Sequence, residues 1–454
     1  MEEFPKHFEF AVTSGQLLQI YIFLVFGGII ALYMTITSTS AYKKEMFFIS
    51  FFLITGNLNK LLTVKIPGFS FFEIQPIRFI YLMLLVLIIR KLWASKQKLN
   101  WSAGIRMPWF MVALICYITL LSISVVVNVF PEELKVILDA VAFLIIVIGL
   151  RMMADKPSYD LIGKSFIFGA VISSLVAFVQ LLVNPYFLRI GDVRAAFGSF
   201  IRANGLFDAE YHNSYFLIIA ITWTFVTVKN NVKKVSLISL FSLGVITSFM
   251  RMSWIILALV IFIYLVYIIK LATEKVALIG LSGFAMILLI SVFFYSDIMN
   301  SSLVKERLED TVDSRGGYYT MVIENFGKKP LFGYGNLKNE VYYENLLRIT
   351  GSRERASAKT GSLHSGYFSA LFLYGVPAFI SFLLFVFLSL GYYARSLRMN
   401  KYFVVPFLVS ILFIVGNLTN TFLFISYLSV LYAIHIGIGM GIYEKNGQEN
   451  IQDF

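Results

Sequence analysis

The segment 297–364, DIMNSSLVKERLEDTVDSRGGYYTMVIENFGKKPLFGYGNLKNEVYYENLLRITGSRERASAKTGSLH, is a long polar segment in an otherwise apolar chain. It contains ten Lys or Arg and nine Asp or Glu residues. The apolar runs on both sides of it reach about 20 residues, the length that a helix needs to cross a bilayer. The sequence therefore predicts a bundle of membrane helices that carries one large polar insert.

The composition of the whole chain also indicates a membrane protein. Of its 454 residues, 58% are hydrophobic and 14% are charged, and the mean hydropathy is +0.79. Soluble domains carry roughly 25% charged residues. The apolar runs predict an all-α polytopic membrane protein with about 12–13 transmembrane helices. One of these helices is expected at 46–65 and another at 364–393.

The positions of the basic residues indicate how these helices are oriented. The net charge is +12, and basic residues are enriched in the cytoplasmic loops of membrane proteins. Such residues recur in alternate loops, for example at Lys43, between Arg90 and Arg106, and at Lys229. The alternation predicts that the insert and the loop 184–211 face outward and that the C-terminus is cytoplasmic. It also accounts for the net charge without nucleic acid as a partner.

We expect four regions along the chain. They are an N-terminal transmembrane bundle with its outer loop 184–211 (1–295), a large extracytoplasmic loop that contains short helices (296–363), C-terminal transmembrane helices (364–442) and a cytoplasmic tail (443–454).

Nothing in the sequence requires a metal or a cofactor, and we predict none. Cys116 is the single cysteine, so no zinc site of cysteine type is available. The chain lacks a Walker A sequence, a dinucleotide-binding glycine fingerprint, a G-x-S-x-G elbow and an H-E-x-x-H motif. The nearest approach to a paired-carboxylate metal motif is Asp208-Ala-Glu210, which is a weak signal.

Two arginines lie within or beside apolar segments. Arg251 interrupts a long uncharged stretch at a tight outer turn, and Arg78 lies near the outer end of its span. An ionisable residue at such a place is costly unless it is paired or reaches water. Each arginine either extends to the membrane surface or forms a fixed cation for an anionic ligand. Arg78 could join the same cluster as Arg251.

More arginines occupy the outward loops. Arg189, Arg194 and Arg202 lie in the loop 184–211, and Arg315 begins a predicted short helix in the insert. Guanidinium groups bind phosphate oxygens well because two N–H donors meet two oxygens. The alternative is a set of salt bridges within the loop, with Asp208 as one possible partner.

Histidines and tyrosines also mark the outer boundary. His364 and His212 lie where polar sequence meets apolar sequence, and a histidine can accept a proton from a hydroxyl group at neutral pH. Tyr318, Tyr319 and Tyr334 lie in the insert and could stack on sugars. The alternative for all of them is an ordinary residue of the membrane interface.

Several of these residues form motifs that resemble those of the O-antigen ligase and polymerase superfamily. Arg202-Ala-Asn-Gly-Leu-Phe-Asp208 resembles its outer-loop arginine motif, and Thr247-Ser-Phe-Met-Arg251 its Thr-x-Ser-Arg element with one extra residue. Arg315 followed by Lys329-Pro-Leu-Phe-Gly-Tyr-Gly335 is similar to its R…P-L-x-G-x-G segment. His364-Ser-Gly-Tyr367 with Gly375-Val-Pro377 resembles H-N-x-Y followed by G-x-x-G, with Ser365 for Asn and Ala378 for the last Gly. The resemblance covers about residues 202–380.

The resemblance implies a glycosyltransferase of the C-type fold that works at the outer face of the bacterial inner membrane without a metal. Its donor and acceptor partners would be oligosaccharides linked to undecaprenyl diphosphate, and membrane lipids would surround the polyprenyl tail. A flippase and a chain-length regulator would be further partners.

The candidate site follows from these motifs. The predicted diphosphate-binding residues are Arg202, Arg251, Arg315 and Arg194, and His364 is the predicted general base. Weaker predictions for substrate contact are Asp208, Tyr318, Tyr319, Tyr334 and Arg78. We expect an inverting polymerase of surface polysaccharide repeats. The alternatives are a ligase that moves finished glycan to a lipid A-core or other acceptor, and a flippase of lipid-linked oligosaccharides.

Overall fold

A computed structural model gives the architecture of the chain. The structure describes residues 7–8, 13–62, 64–65, 73–74, 76–94, 107–129, 134–153, 155–191, 193–197, 200–269, 322–335, 365–420 and 427–452. The candidate residues Arg315, Tyr318, Tyr319 and His364 lie outside this part of the chain, as does most of the insert.

The described part of the chain is mainly helical. Its α-helices are α1 (Ser14–Thr37), α2 (Lys43–Thr55), α3 (Pro76–Ala94), α4 (Trp109–Val129), α5 (Leu134–Met152), α6 (Lys156–Leu182), α7 (Glu210–Thr227), α8 (Asn231–Ile246), α9 (Arg251–Ile263), α10 (Gly366–Ser396), α11 (Val404–Gly416) and α12 (Tyr427–Gln452). Short strands are β1 (His7–Phe8), β2 (Val64–Lys65), β3 (Glu73–Ile74), β4 (Val193–Phe197) and β5 (Phe200–Ile201). All strand pairs are antiparallel, with β4 between β1 and β5, and β2 beside β3.

Among the described residues, four helices are long and apolar enough to cross a membrane, namely α1, most of α4, α6 and α10. Many of their large apolar side chains face outward, such as Ile22 of α1, which is 61% exposed. Apolar side chains on the outside of a bundle are expected where lipid is the surrounding solvent. These features confirm the prediction of an all-α polytopic membrane protein.

The helices alternate in direction, so the connections between them lie at the two ends of the bundle. At one end, the N–H of Ala203 donates to the Thr247 carbonyl at 3.1 Å. At the other end, the Tyr402 hydroxyl donates to Asp160 at 2.7 Å. We call the first the arginine end, defined by the turns 183–191, 200–209, 247–250 and 417–420.

The predicted helix at 46–65 is wrong in its second half. The α-helix ends at Thr55, and Gly56 turns the chain with a φ of 56°. A 3-10 helix, Gly56–Leu62, follows and carries the polar residues Asn57 and Lys60. These two side chains bind Asp208 of the turn 200–209, so the segment lies beside the arginine end.

The helical geometry of α10 is interrupted about one third of the way along the helix. Gly375 has a φ of 86° and a ψ of 174°, and Pro377 has no N–H group. In a regular helix, the carbonyls of Phe372 and Leu373 would accept hydrogen bonds from the N–H groups of residues 376 and 377, but Pro377 has no N–H group to donate. The break therefore frees two carbonyl groups and one N–H group inside an apolar bundle.

The segment 330–335 of the insert binds all three freed groups. The N–H of Tyr334 donates to Phe372 O at 3.0 Å, and that of Gly335 donates to Leu373 O at 2.8 Å. The N–H of Val376 donates to Pro330 O at 2.7 Å. Backbone groups within a membrane protein must find such partners because lipid offers none. The segment 330–335 thus acts as a backbone clip on α10.

Candidate functional site

The segment 202–208 is fixed because each of its first six backbone N–H groups has a partner. The N–H of Arg202 donates to Arg194 O, and the N–H of Ala203 donates to Thr247 O. Those of Asn204 and Gly205 share the side-chain oxygen of Gln180 on α6. The remaining two acceptors are Ser173 Oγ, for Leu206, and Asn204 O, for Phe207. The segment therefore presents its side chains from a rigid backbone.

Glycine is required at position 205 of this segment. Gly205 has a φ of 55°, and a Cβ atom there would lie 2.4 Å from Ser173 Oγ. A side chain would displace both Ser173 and Asn213, which hydrogen-bond each other at 2.8 Å. The close packing explains the glycine in the Arg202–Asp208 motif.

The three arginines of the loop 184–211 have different roles. Arg189 is 1% exposed, and its guanidinium donates to Pro185 O at 2.6 Å and to Arg202 O at 2.7 Å. Burial lowers the pKa of Arg189 to about 10, so its charge persists at neutral pH. Arg189 therefore holds the backbone of Arg202, whereas Arg194 and Arg202 present their own charges.

Arg194 and Arg202 converge on one carboxylate. The Nη1 atoms of Arg202 and Arg194 lie 2.8 Å and 3.4 Å from Oε1 of Glu210, the first residue of α7. Burial opposes the ionisation of Glu210, but the charges of the two arginines outweigh this effect and lower its pKa. The group thus has two cations and one anion, with the Arg202 side chain 21% and the Arg194 side chain 40% exposed.

Asp208 belongs to a second polar cluster beside the first. Lys60 Nζ donates to its Oδ2 at 2.5 Å, and Asn57 Nδ2 donates to its Oδ1 at 2.5 Å. His212 Nδ1 lies 2.6 Å from the same Oδ1. Burial opposes ionisation, yet His212 and Lys60 hold the pKa of Asp208 well below its usual range. Asp208 joins the 3-10 helix to α7, and its predicted contact with substrate stays a prediction.

Arg251 follows a strained turn at the same end. Phe249 has a φ of 52°, which is unusual for a residue with a bulky side chain. The turn is bonded to the segment 202–208 through Thr247 O, and Arg251 begins α9 as an exposed residue. The structure therefore brings the two arginine motifs together on neighbouring connections of the arginine end.

The first residues of α10 also reach this end of the bundle. The N–H of Gly366 donates to Asn417 O at 2.8 Å and to Asn420 O at 3.0 Å. The Asn420 side chain donates to the hydroxyl group of Tyr215 on α7 at 3.0 Å. His364 is outside the described residues, but the chain directly after it is thus tied to the helix that begins with Glu210.

Tyr334 and Arg78 have partners other than the arginine pair. Tyr334 is 2% exposed, stacks on Phe372 with ring centroids 4.6 Å apart, and donates its hydroxyl hydrogen to Asn325 O. The structure gives it a packing role in the clip, and we propose no substrate contact for it. Arg78 interacts electrostatically with Asp139 of α5.

Sequence reasoning missed the residues that hold the arginines. It treats Glu210 only as half of a weak metal motif, and it does not single out Gln180, Asn57 or Lys60. An acid eight residues after Arg202 is a signal that could have been interpreted as its counterion. No group of metal-binding side chains occurs in the described part of the chain. The arrangement can instead bind an oxyanion through several charged N–H donors.

Comparison with known families agrees with the motifs. Residues 235–383 match the family model described as O-antigen ligase. The matched region contains Arg251, the segment 330–335 and the start of α10, whereas Arg202 precedes it. No curated protein sequence matches the chain. The match confirms that residues 235–383 carry the domain of the O-antigen ligase and polymerase superfamily.

Proposed function

We propose that the chain is a glycosyltransferase that polymerises the repeat units of a surface polysaccharide, such as O-antigen, capsule or exopolysaccharide. It transfers glycan from an undecaprenyl-diphosphate carrier to the acceptor sugar of another carrier-linked repeat. The observation that carries this proposal is the Arg194–Arg202 pair, bonded through its backbone to the turn before Arg251. The O-antigen ligase domain at 235–383 supports the same class of reaction.

The charges suit the departure of a diphosphate. Negative charge grows on this leaving group as the glycosidic bond breaks, and fixed cations at the edge of an apolar bundle would stabilise it without a metal. Arg202 and Arg251 would carry this task, with Arg194 and Arg315 beside them. His364 would remove the proton from the acceptor hydroxyl group, and attack opposite the departing diphosphate would invert the anomeric centre.

The reaction requires the arginine end to face outward from the bacterial cytoplasmic membrane. The loop 296–363 would then be extracytoplasmic, and the segments 1–295 and 364–442 would form the bundle around the polyprenyl tail. The donor and acceptor are both carrier-linked, so a flippase that delivers them and a chain-length regulator are the partners that the reaction calls for.

The direct test is to incubate the purified protein with defined carrier-linked repeats. A polymerase lengthens them into a ladder of products. In the host, loss of the protein should leave surface glycan of a single repeat. Long glycan that accumulates on the carrier would instead indicate the second candidate, a ligase, which the description of the matched family as O-antigen ligase favours.

A His364→Ala variant separates an enzyme from a flippase. We expect it to lose at least about 100-fold in transfer rate, on the order of the contribution of a general base, while it still binds the carrier lipid. Normal polymer made by this variant would contradict the role of His364 as the base.

A further inference from the structure

Glu210 occupies an unusual position between the two loop arginines. A single oxygen, Oε1, receives both guanidinium groups, and the Glu210 side chain is only 7% exposed. It begins α7, whose residues 212–226 are all buried in the bundle. Arg194 and Arg202, in contrast, lie on the β4–β5 hairpin and at its end. Glu210 therefore ties the charges of the hairpin to a helix in the core.

The contact leaves most of the arginine donors available. A guanidinium group has five N–H donors. Among the described residues, Arg202 uses only Nη1 in a side-chain hydrogen bond, and its buried Nε has no hydrogen-bond partner. Arg194 likewise contacts Glu210 through Nη1. One carboxylate oxygen thus fixes two guanidinium groups, and their other Nη N–H donors remain available to a ligand.

We propose that Glu210 is a positioning residue that holds Arg194 and Arg202 as a paired receptor for the diphosphate of the donor. The inference rests on the proposed function for the identity of the ligand. Glu210 acts through the arginines and does not touch the diphosphate, because its oxygen already faces both cations. Arginines held in one geometry lose little side-chain freedom when the ligand binds, which strengthens binding.

The sign of one substitution distinguishes this role from that of a simple counterion. Glu210→Met removes an anion close to the arginines, so electrostatics alone would tighten the binding of a diphosphate. If Glu210 positions the arginines, the same substitution weakens binding. We expect about 10-fold weaker binding, equivalent to about 1.4 kcal/mol, because the ligand must then order two long side chains itself.

The experiment measures the binding of inorganic pyrophosphate to the full-length protein in detergent by calorimetry. Glu210→Gln keeps an acceptor oxygen, so its affinity should lie between that of the native protein and Glu210→Met. It also provides a second variant if the methionine protein does not fold. Glu324→Gln removes an equal charge from an exposed position in the insert and should leave the affinity unchanged.

A combined variant shows whether Glu210 acts through the two arginines. Arg194→Lys and Arg202→Lys together with Glu210→Met should bind pyrophosphate about as weakly as the two arginine substitutions alone, because both groups that Glu210 positions are already lost. Additive losses, or binding by Glu210→Met that equals or exceeds that of the native protein, would overturn the proposal. So would a native protein that does not bind pyrophosphate.

The outcome is independent of the proposed reaction. Pyrophosphate binding that depends on Glu210, in a protein that fails to lengthen carrier-linked repeats, would support the positioning role and contradict polymerisation. Normal lengthening of repeats with no effect of Glu210 on pyrophosphate binding would support polymerisation and contradict the positioning role.

Discussion

The segments 202–208 and 330–335 both fasten connecting parts of the chain to the helical bundle, but they use different chemistry. In the first segment, two side chains of α6, Gln180 and Ser173, bind the backbone. In the second segment, backbone groups pair with the backbone groups that a broken helix leaves free. The attachment at 202–208 depends on the side chains around it. The attachment at 330–335 depends on how closely its backbone can approach the backbone of α10.

This difference has consequences for what each segment can do. Side chains that fix the segment 202–208 also fix the charged groups on it, so the attachment and the candidate site are one structure. The clip at 330–335 carries no ion pair in its bonds to α10, and it requires glycine at Gly333 and Gly375, where a Cβ would lie within 2.6 Å of backbone atoms. Charge-dependent behaviour should therefore appear at the first segment and not at the second.

The largest expected effect is the loss of the clip. Gly375→Ala places a Cβ atom 2.4 Å from Leu331 O at a φ of 86°. The strained backbone costs about 1–3 kcal/mol and the overpacking about as much again, so we expect a loss of roughly 2–6 kcal/mol in stability. Thermal unfolding in detergent measures the loss, and hydrogen exchange should show reduced protection of the Tyr334 and Gly335 amides.

Gly391→Ala is the matched control in the same helix. No atom lies within 4 Å of a Cβ at position 391, and alanine favours a helix by about 1 kcal/mol over glycine. The control should be as stable as the native protein or more so. If Gly375→Ala and Gly391→Ala unfold alike, the close approach of the two backbones is not what fastens the insert.

A smaller and more local effect is expected at the segment 202–208. Gln180→Leu removes the shared acceptor of the Asn204 and Gly205 N–H groups. Each buried N–H left without a partner costs about 1–3 kcal/mol, so the loss should be roughly 2–4 kcal/mol. Hydrogen exchange should quicken at Asn204 and Gly205 and stay slow at Tyr334.

Ser174→Ala gives the comparison for that variant. Ser174 is also buried on α6, but its hydroxyl group has no hydrogen-bond partner among the described residues. The substitution should leave exchange at Asn204 unchanged. Faster exchange at both segments in Gln180→Leu would mean that the two attachments unfold together. This would contradict the prediction that they are independent.

The same contrast explains what could be predicted from the sequence. Apolar length determines membrane helices, and Gly and Pro restrict the backbone locally, so the polytopic fold and the turn at 330–335 are both evident from the residues. The sequence does not show that this turn pairs with the interruption at Gly375 and Pro377, although both motifs stand out in it. Hydropathy shows which segments enter the membrane. It does not show where a membrane helix is interrupted, or which distant segment hydrogen-bonds the backbone groups that the interruption leaves free.

The site shows a related limit. Arg251 stands out because a cation in an apolar stretch is costly, and Arg202 because it begins a loop motif, whereas Glu210 looks ordinary at the end of a polar loop and Lys60 falls inside a predicted span. Their importance arises from distances between segments far apart in sequence, such as the 2.5 Å contact between Lys60 and Asp208. Similarly, the predicted span 46–65 includes Asn57 and Lys60 because an average over a window hides two polar residues among apolar ones.

The smallest expected effect concerns acid stability and affects only the charged attachment. Because folding lowers the pKa of Asp208, its contribution to stability is complete above the usual aspartate pKa of about 3.9 and is lost as the pH falls below it. Lys60→Met should bring the pKa of Asp208 in the folded protein closer to its usual value, so that the acid-induced loss of stability is smaller and ends at a higher pH. Lys233→Met removes an exposed charge at the opposite end and should not change the profile. Two measurements follow both attachments between about pH 3 and 6, a range that includes the usual aspartate pKa. They are the apparent Tm and the hydrogen exchange of the Leu206 and Gly335 amides. An acid-induced loss of protection at Gly335 equal to that at Leu206 would show that the clip also depends on charge.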